Sequence, residues 1–215
     1  MKLTPFTKPL DPSKKDEILD AALQVFAEVG FKEATVRQIC KRAKANVCLV
    51  SYYFEGKEGL YKSVFERVYN EKITRFQDLL QNASEIQNAE EYKTRLRVHI
   101  EQMHLQITQN FNFFRVIQRE VMEGLPRLEN MVIDFMSITQ HNLAEYIAFG
   151  QKKKIIKKEL NPQLATSALM LLLVGFLQHR FLNRPELFFR GLSEKEIPEN
   201  INKIITTIFF DGVIQ

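Results

Sequence analysis

At 215 residues, the chain has room for one large domain or for a small one joined to a larger one. Hydrophobic residues at 45% and charged residues at 26%, with 17 Phe against 8 Gly and 7 Pro, exclude a disordered chain and supply a sizeable core. The formal charge of +4 admits a polyanionic partner without demanding one, and two cysteines alone, Cys40 and Cys48, argue against a disulfide framework or a zinc site.

The first residues, MKLTPFTKPLDPS, contain Pro5, Pro9 and Pro12 in place of the apolar run that a secretory signal needs, so 1–12 reads as a flexible arm. Ser13 and Asp16 have the spacing of a capping box ahead of Ile18, Ala22, Val25, Phe26 and Val29, which recur at helical intervals. This helix is expected to end at Gly30, a residue suited to the position after a helix. Thr35 and Gln38 repeat the box before Val36, Ile39, Cys40 and Ala43, giving a short second helix whose polar face carries Arg37, Lys41 and Arg42. Lys44 and Ala45 leave room for a tight turn only. Asn46 is suited to cap a third helix in which Val50, Tyr53 and Phe54 share a face, with Val47, Cys48, Leu49, Ser51 and Tyr52 outward or flanking.

Gly56 breaks that helix and Lys57 opens a longer one, to about Leu80. Further helices are expected near Glu90–Thr108, Asn112–Gly124, Pro126–Gln151, Pro162–Leu182 and Pro198–Phe210, several with Pro at the N-terminal end. No strand pattern competes, so the fold class is all-α. The lysine cluster Lys152, Lys153, Lys154, Lys157 and Lys158 reads as a solvated loop or helix end. The most apolar stretch, Leu164–Leu177, has 14 residues and includes Thr166 and Ser167, short of the roughly 18 that suggest a membrane span. A cytoplasmic protein that does not enter a membrane is expected.

Two short helices joined by a tight turn let the second enter a major groove while the first crosses the backbone. Small residues at Cys40, Ala43 and Ala45 let the helices cross closely, and polar caps leave their positive ends available to phosphates. Any compact helical protein contains short helix pairs, so spacing alone does not separate a DNA-binding motif from ordinary packing.

Longer runs do. VFAEVGF from Val25 and ATVRQICKRAKANVCLVSYYFEGKEGLYKSVF from Ala34 to Phe65 resemble the DNA-binding signature of the TetR/AcrR family of bacterial regulators. The match includes the Thr35-Val36-Arg37-Gln38-Ile39 start, the Tyr53-Phe54 pair, and Lys57-Glu58 followed by Leu60-Tyr61. The resemblance implies a helix-turn-helix domain over 13–60 and a helical ligand-binding and dimerisation domain over 61–215. It also implies a DNA interface containing Thr35, Arg37, Gln38, Lys44, Asn46, Val47, Cys48, Leu49, Ser51, Tyr52 and Lys57, the last as a phosphate contact. Two positions depart from the family pattern: Lys44 stands where Gly is usual in the turn, and Ser51 where a phosphate-contacting Tyr is usual. The recognition helix lacks Lys and Arg, so base reading falls on Arg37 or Gln38 and on contacts of Val47 or Leu49 with thymine methyls, which predicts an A·T-containing half-site. Cys48, near this face, is open to a thiol switch or is simply an unreactive small residue.

Beyond Tyr61 no motif identifies a ligand. Met103, His104, Phe113, Phe114, Met122, Phe135, Phe176 and His179 are expected to line an apolar cavity for a small-molecule effector, against the commoner reading of such side chains as core. The helix from Leu164 is apolar on nearly every face and is expected to be buried all round. Pairing it with the preceding helix of a second copy would bury it in a four-helix bundle, with Phe135, Leu169, Leu172, Leu173 and Phe176 at a homodimer interface.

No Gly-rich phosphate loop, nucleophile elbow or metal-spaced His/Cys cluster supports an enzyme, and no cofactor or metal is expected. The reading is a DNA-binding regulator, a repressor that binds a palindromic operator on double-stranded DNA as a homodimer and is released by a largely apolar effector. The alternative is a helical small-molecule-binding adaptor that has lost DNA binding.

Overall fold

The computed structural model describes residues 12–81, 86–176, 184, 186, 189–193 and 196–213. Its helices are α1 (Pro12–Glu33), α2 (Val36–Arg42), α3 (Cys48–Phe54), α4 (Lys57–Gln81), α5 (Ala89–Gln109), α6 (Phe111–Met122), α7 (Glu129–Lys152), α8 (Pro162–Gly175) and α9 (Glu196–Val213), and there is no strand among the described residues. Residues 1–11 of the expected arm, His179 and the end of the expected Pro162–Leu182 helix lie outside the described residues, while Pro12, expected to close the arm, begins α1.

Several ends follow local chemistry. Asn161 accepts a hydrogen bond from Leu164 N–H ahead of Pro162, a proline-first start, and Asn88 does the same for Glu91 N–H on α5. The start expected at Pro126 falls later, at Glu129, because Leu125 takes a positive φ of 60° and the Arg127 N–H and guanidinium are drawn back to Glu120. The last helix begins before Pro198, where the Glu196 carboxylate accepts from Ser193 N–H and Oγ–H.

The chain divides into two compact units, one of residues 1–70 with 112–131 and one of 71–111 with 132–215. The headpiece segment marked by the sequence as ending at Leu60 is therefore joined in space by residues remote in the chain. In the first unit, Ile18, Ala22, Val25 and Phe26 of α1 are buried with Ile39 of α2, Val50 and Phe54 of α3, and Leu60, Val64 and Phe65 of α4. At roughly 1.5–3 kcal/mol for each large apolar side chain buried, this core holds the two short helices α2 and α3, which would not persist alone. Phe113, Val116 and Ile117 of α6 are buried too, and the Phe113 ring lies 5.2 Å from that of Phe65.

In the second unit, Tyr92, Leu96, Ile100, Met103 and Ile107 form the buried stripe of α5, at the spacing of one helix face. Tyr92 stacks on Tyr146 of α7 at 4.5 Å, and each hydroxyl donates to the other's backbone carbonyl, at 2.9 and 3.3 Å. Gly150 permits that approach, since a Cβ there would lie 2.5 Å from the Tyr92 hydroxyl. α9 packs on α5 and α8.

Within a single protomer α8 buries one side only, as expected of a helix whose other side would be covered by a second copy. Leu169 and Leu173 are fully buried, whereas Leu164 and Leu171 are 70% and 73% exposed. An all-apolar helix at the edge of a unit has one face for the core and one left over. None of the described helices is long and apolar enough to cross a membrane.

Candidate nucleic-acid interface

α1 sets the base on which the helix pair sits. Gly30 adopts φ 80° and ψ 174° and interrupts the helical dihedrals where a helix end was expected, so residues 31–33 turn away before α2. A Cβ at Gly30 would lie 2.6 Å from Arg119 Nη1, and Arg119 Nη2 donates to the Glu28 carbonyl at 3.1 Å. On the other side, the Arg42 guanidinium grips the Glu28 carboxylate through two bonds of 2.8 Å, tying α2 to α1.

The capping box is present. Thr35 Oγ1 accepts from Gln38 N–H at 3.2 Å, while the Gln38 side-chain oxygen accepts from Thr35 N–H at 2.8 Å and from its hydroxyl at 2.9 Å. Gln38 thereby commits its oxygen locally and keeps its amide N–H groups for an acceptor outside. Lys44, in the turn, takes φ 47°. That left-handed conformation explains why glycine suits the position, and lysine bears a cost of roughly 1 kcal/mol there. The cap expected at Asn46 is displaced by one residue: α3 starts at Cys48, which puts Val47 at the cap position without a side-chain cap bond, while Asn46 Oδ1, one residue earlier, accepts from Cys48 N–H at 2.9 Å. Val50 and Phe54 face the core, leaving Val47 at 44% and Tyr52 at 64% exposure, with Cys48 and Ser51 exposed between them and Leu49 partly so. Thr35, Arg37, Gln38, Lys44 and Asn46 are exposed on the same unit. Cys40 is buried, which pushes its thiol pKa up, and has no part in this surface.

Lys57 sits differently from a free surface lysine. Its ammonium donates to the Ala34 carbonyl at 2.7 Å and the Lys32 carbonyl at 3.3 Å, and lies 4.4 Å from the centre of the Phe31 ring. Two of its three N–H groups are thus occupied at the corner between α1 and α2, leaving one for a phosphate. Lys15, which sequence reasoning passed over, is exposed on α1 with its ammonium 5.9 Å from the Phe54 ring at the end of α3. No local pattern signals it, since its proximity to α3 arises from tertiary packing.

The candidate pocket residues fall in both units. Phe113 and Phe114 belong to the unit containing the helix pair, where Phe113 is core, and Met122 of the same unit is 85% exposed at the end of α6. Met103, His104 and Phe135 are buried in the other unit, with Phe176 half-buried. The division arises because α6 packs beside α4, which spacing along the chain does not reveal. Of the five dimer candidates, Phe135, Leu169 and Leu173 are buried within the protomer, and Leu172 and Phe176 are partly exposed. Among the described residues no group of three or more His, Cys, Asp or Glu side chains is placed to hold a metal ion.

Residues 18–64 match the family model of the bacterial regulatory proteins of the tetR family. Among relatives, the "Probable HTH-type transcriptional regulator YttP" of Bacillus subtilis is 26% identical over 174 residues, covering 80% of this chain and 81% of that one. The transcriptional repressor NicS of Pseudomonas putida is 44% identical over 55 residues, 26% of either chain. Among solved structures, the fatty acid degradation regulator FadR from Bacillus halodurans aligns with a TM-score of 0.70 and 23% identity, over 95% of this chain and 98% of that one. SmeT, the repressor of the Stenotrophomonas maltophilia multidrug efflux pump SmeDEF, aligns with a TM-score of 0.66 and 16% identity, over 94% of this chain and 90% of that one.

Proposed function

We propose that this chain is a member of the tetR family of bacterial regulatory proteins and a DNA-binding transcriptional regulator, that it acts as a homodimeric repressor on a palindromic operator, and that it is released by a small, largely apolar effector. The observation that carries the reading is the outward face of α3, Val47, Cys48, Ser51 and Tyr52, on the same unit as the exposed Arg37 and Gln38 at the start of α2. In this reading α3 lies in the major groove, Val47 and Leu49 meet thymine methyls, and Arg37 and the Gln38 amide reach base edges. Thr35, Lys44, Asn46, Ser51, Tyr52 and Lys57 contact the phosphodiester backbone, which positions the protein without reading sequence.

The exposed apolar side chains Leu164 and Leu171 on α8, with Ile204 and Ile208 on α9, support a two-fold dimer, because neighbouring helices of one unit present them to solvent. Leu172 and Phe176 join that interface at its margin. In this reading the effector enters the second unit among Met103, His104, Phe135 and Phe176; Thr166 of α8, in the same unit, has a fully buried hydroxyl without a hydrogen-bond partner in the structure. An apolar molecule with one polar atom suits that chemistry, and the names of FadR and SmeT associate this fold with fatty-acid degradation and multidrug efflux. Release follows if the effector binds better to the dimer whose two reading heads are wrongly spaced.

The test is selection of the purified chain against a random duplex library, then titration of the selected sequence at several salt concentrations. A palindromic, thymine-containing winner bound with a steep salt dependence is the expected result. Weak, sequence-blind binding would overturn it in favour of a ligand-binding adaptor, the alternative that Ser51 and the uncharged face of α3 raise.

A further inference from the structure

The Phe31 ring receives two cations from opposite ends of one unit's sequence. Lys57 Nζ lies 4.4 Å from its centre and Arg127 Cζ lies 4.3 Å away. Such close approach by two like charges is unfavourable unless each is compensated, and the compensation is unequal. The nearly buried Arg127 guanidinium donates to Glu120 Oε1 at 2.8 Å and Glu123 Oε2 at 3.1 Å, and its own N–H reaches Glu120 Oε2 at 3.3 Å. Glu120, itself buried, also accepts from the Tyr61 hydroxyl at 2.9 Å, and the Tyr61 ring packs edge-on against Phe31 at 5.0 Å. Burial, together with the neighbouring Glu120, pushes the Tyr61 pKa up and keeps that hydroxyl a donor. Lys57 is matched by two backbone carbonyls and a ring face, which carry partial charges only. One of those carbonyls belongs to Ala34, the residue before the Thr35 cap of α2.

We infer that Arg127 is a positioning residue for the DNA interface: held by Glu120 and Glu123, it fixes the Phe31 ring, and through the ring it keeps the Lys57 ammonium at the corner between α1 and α2, oriented toward a backbone phosphate. This rests on the reading of Lys57 as a phosphate contact. It assigns to residues 112–131, far along the chain from the helix pair, a part in the geometry of DNA binding without touching DNA.

The experiment is a double-mutant cycle on affinity for the selected duplex and its salt dependence, with thermal melting to establish that every variant is folded. Phe31→Leu keeps apolar bulk at a half-buried position and removes the ring. Arg127→Met with Glu120→Gln removes the ion pair without leaving a buried charge unmatched, so the result does not depend on one variant folding. With Lys57 present, either change is expected to lower affinity about fivefold, the value of a cation–π contact of about 1 kcal/mol, and to reduce the salt slope by up to about 0.9, one phosphate. In a Lys57→Ala background the same changes are expected to do neither. Equal losses with and without Lys57 would show that the network serves folding alone and would overturn the inference, as would undiminished affinity in the folded variants. If Lys57→Ala itself leaves affinity and slope unchanged, the inference fails while the regulator reading stands. If the unsubstituted chain shows no salt-dependent selective binding, both fail together.

Discussion

Gly30→Ala is expected to destabilise the chain by about 2–3 kcal/mol, and the structure separates two causes. The backbone at φ 80°, ψ 174° belongs to a region that only glycine occupies without strain, at about 1–3 kcal/mol for a residue with a Cβ. The added methyl would also meet Arg119 Nη1 at 2.6 Å and displace it from the Glu28 carbonyl. That bond is near the surface and is worth about 1 kcal/mol or less. Alanine recovers about 0.4–1 kcal/mol by restricting the unfolded chain. At about 2–4 °C per kcal/mol for a chain of this size, the melting temperature should fall by roughly 5–10 °C. Thermal melts followed by far-UV circular dichroism for Gly30→Ala, Arg119→Ala and the double variant complete the comparison. With Arg119 already shortened, the alanine should still cost about 1–2 kcal/mol, because the dihedral strain remains. A cost below about 0.5 kcal/mol in both backgrounds would refute the claim that the break in α1 at Gly30 requires glycine.

Lys44→Gly relieves a left-handed lysine, so the melting temperature should hold or rise while DNA affinity drops and the salt slope shrinks by about 0.9; a lower melting temperature would show that the Lys44 side chain packs. Cys48 is exposed and Cys40 buried with a raised thiol pKa, so a thiol reagent should modify one cysteine quickly and the other only on unfolding. The selected duplex should protect Cys48, and an unchanged rate with DNA bound would remove that residue from the interface. Burial holds the His99 imidazole pKa down at about 4, so between pH 6.5 and 4 the unfolded chain takes up a proton that the folded chain refuses. Stability should therefore fall by about 2 kcal/mol from pH 7 to pH 5, and His99→Gln should flatten that slope in urea titrations. A slope that the substitution leaves unchanged would contradict the assignment.

Much of the headpiece was legible because its signals are local. Capping boxes, a glycine at a helix end and apolar residues three and four apart act within one turn of helix, and the Thr35–Gln38 box and a bond from Cys48 N–H to Asn46 Oδ1 at the start of α3 occur in the structure. The family signature added what spacing could not, a likeness of this helix pair to that of the tetR regulators, whose family model residues 18–64 match. The helix start at Pro126 misled because a proline is equally at home in a turn, and Glu120, six residues earlier, holds the Arg127 guanidinium in place.

What only the tertiary structure decided depends on partners distant in sequence. Phe113 looks like any aromatic on a helix face until Phe65 is placed beside it, and nothing in the sequence marks Met122, at the end of α6, as exposed. The same holds for α8, where Leu169 and Leu171 are chemically identical and only the packed neighbours decide which is buried and which is exposed. Lys57 shows the difference most directly. Its place at the start of α4 is read from the motif, but its bonds to the carbonyls of Lys32 and Ala34, and the Phe31 ring it shares with Arg127, exist only once the chain has closed on itself. Helix ends are set by interactions over a few residues, whereas burial and charge pairing are set by which surfaces meet, and that information is spread over the whole chain.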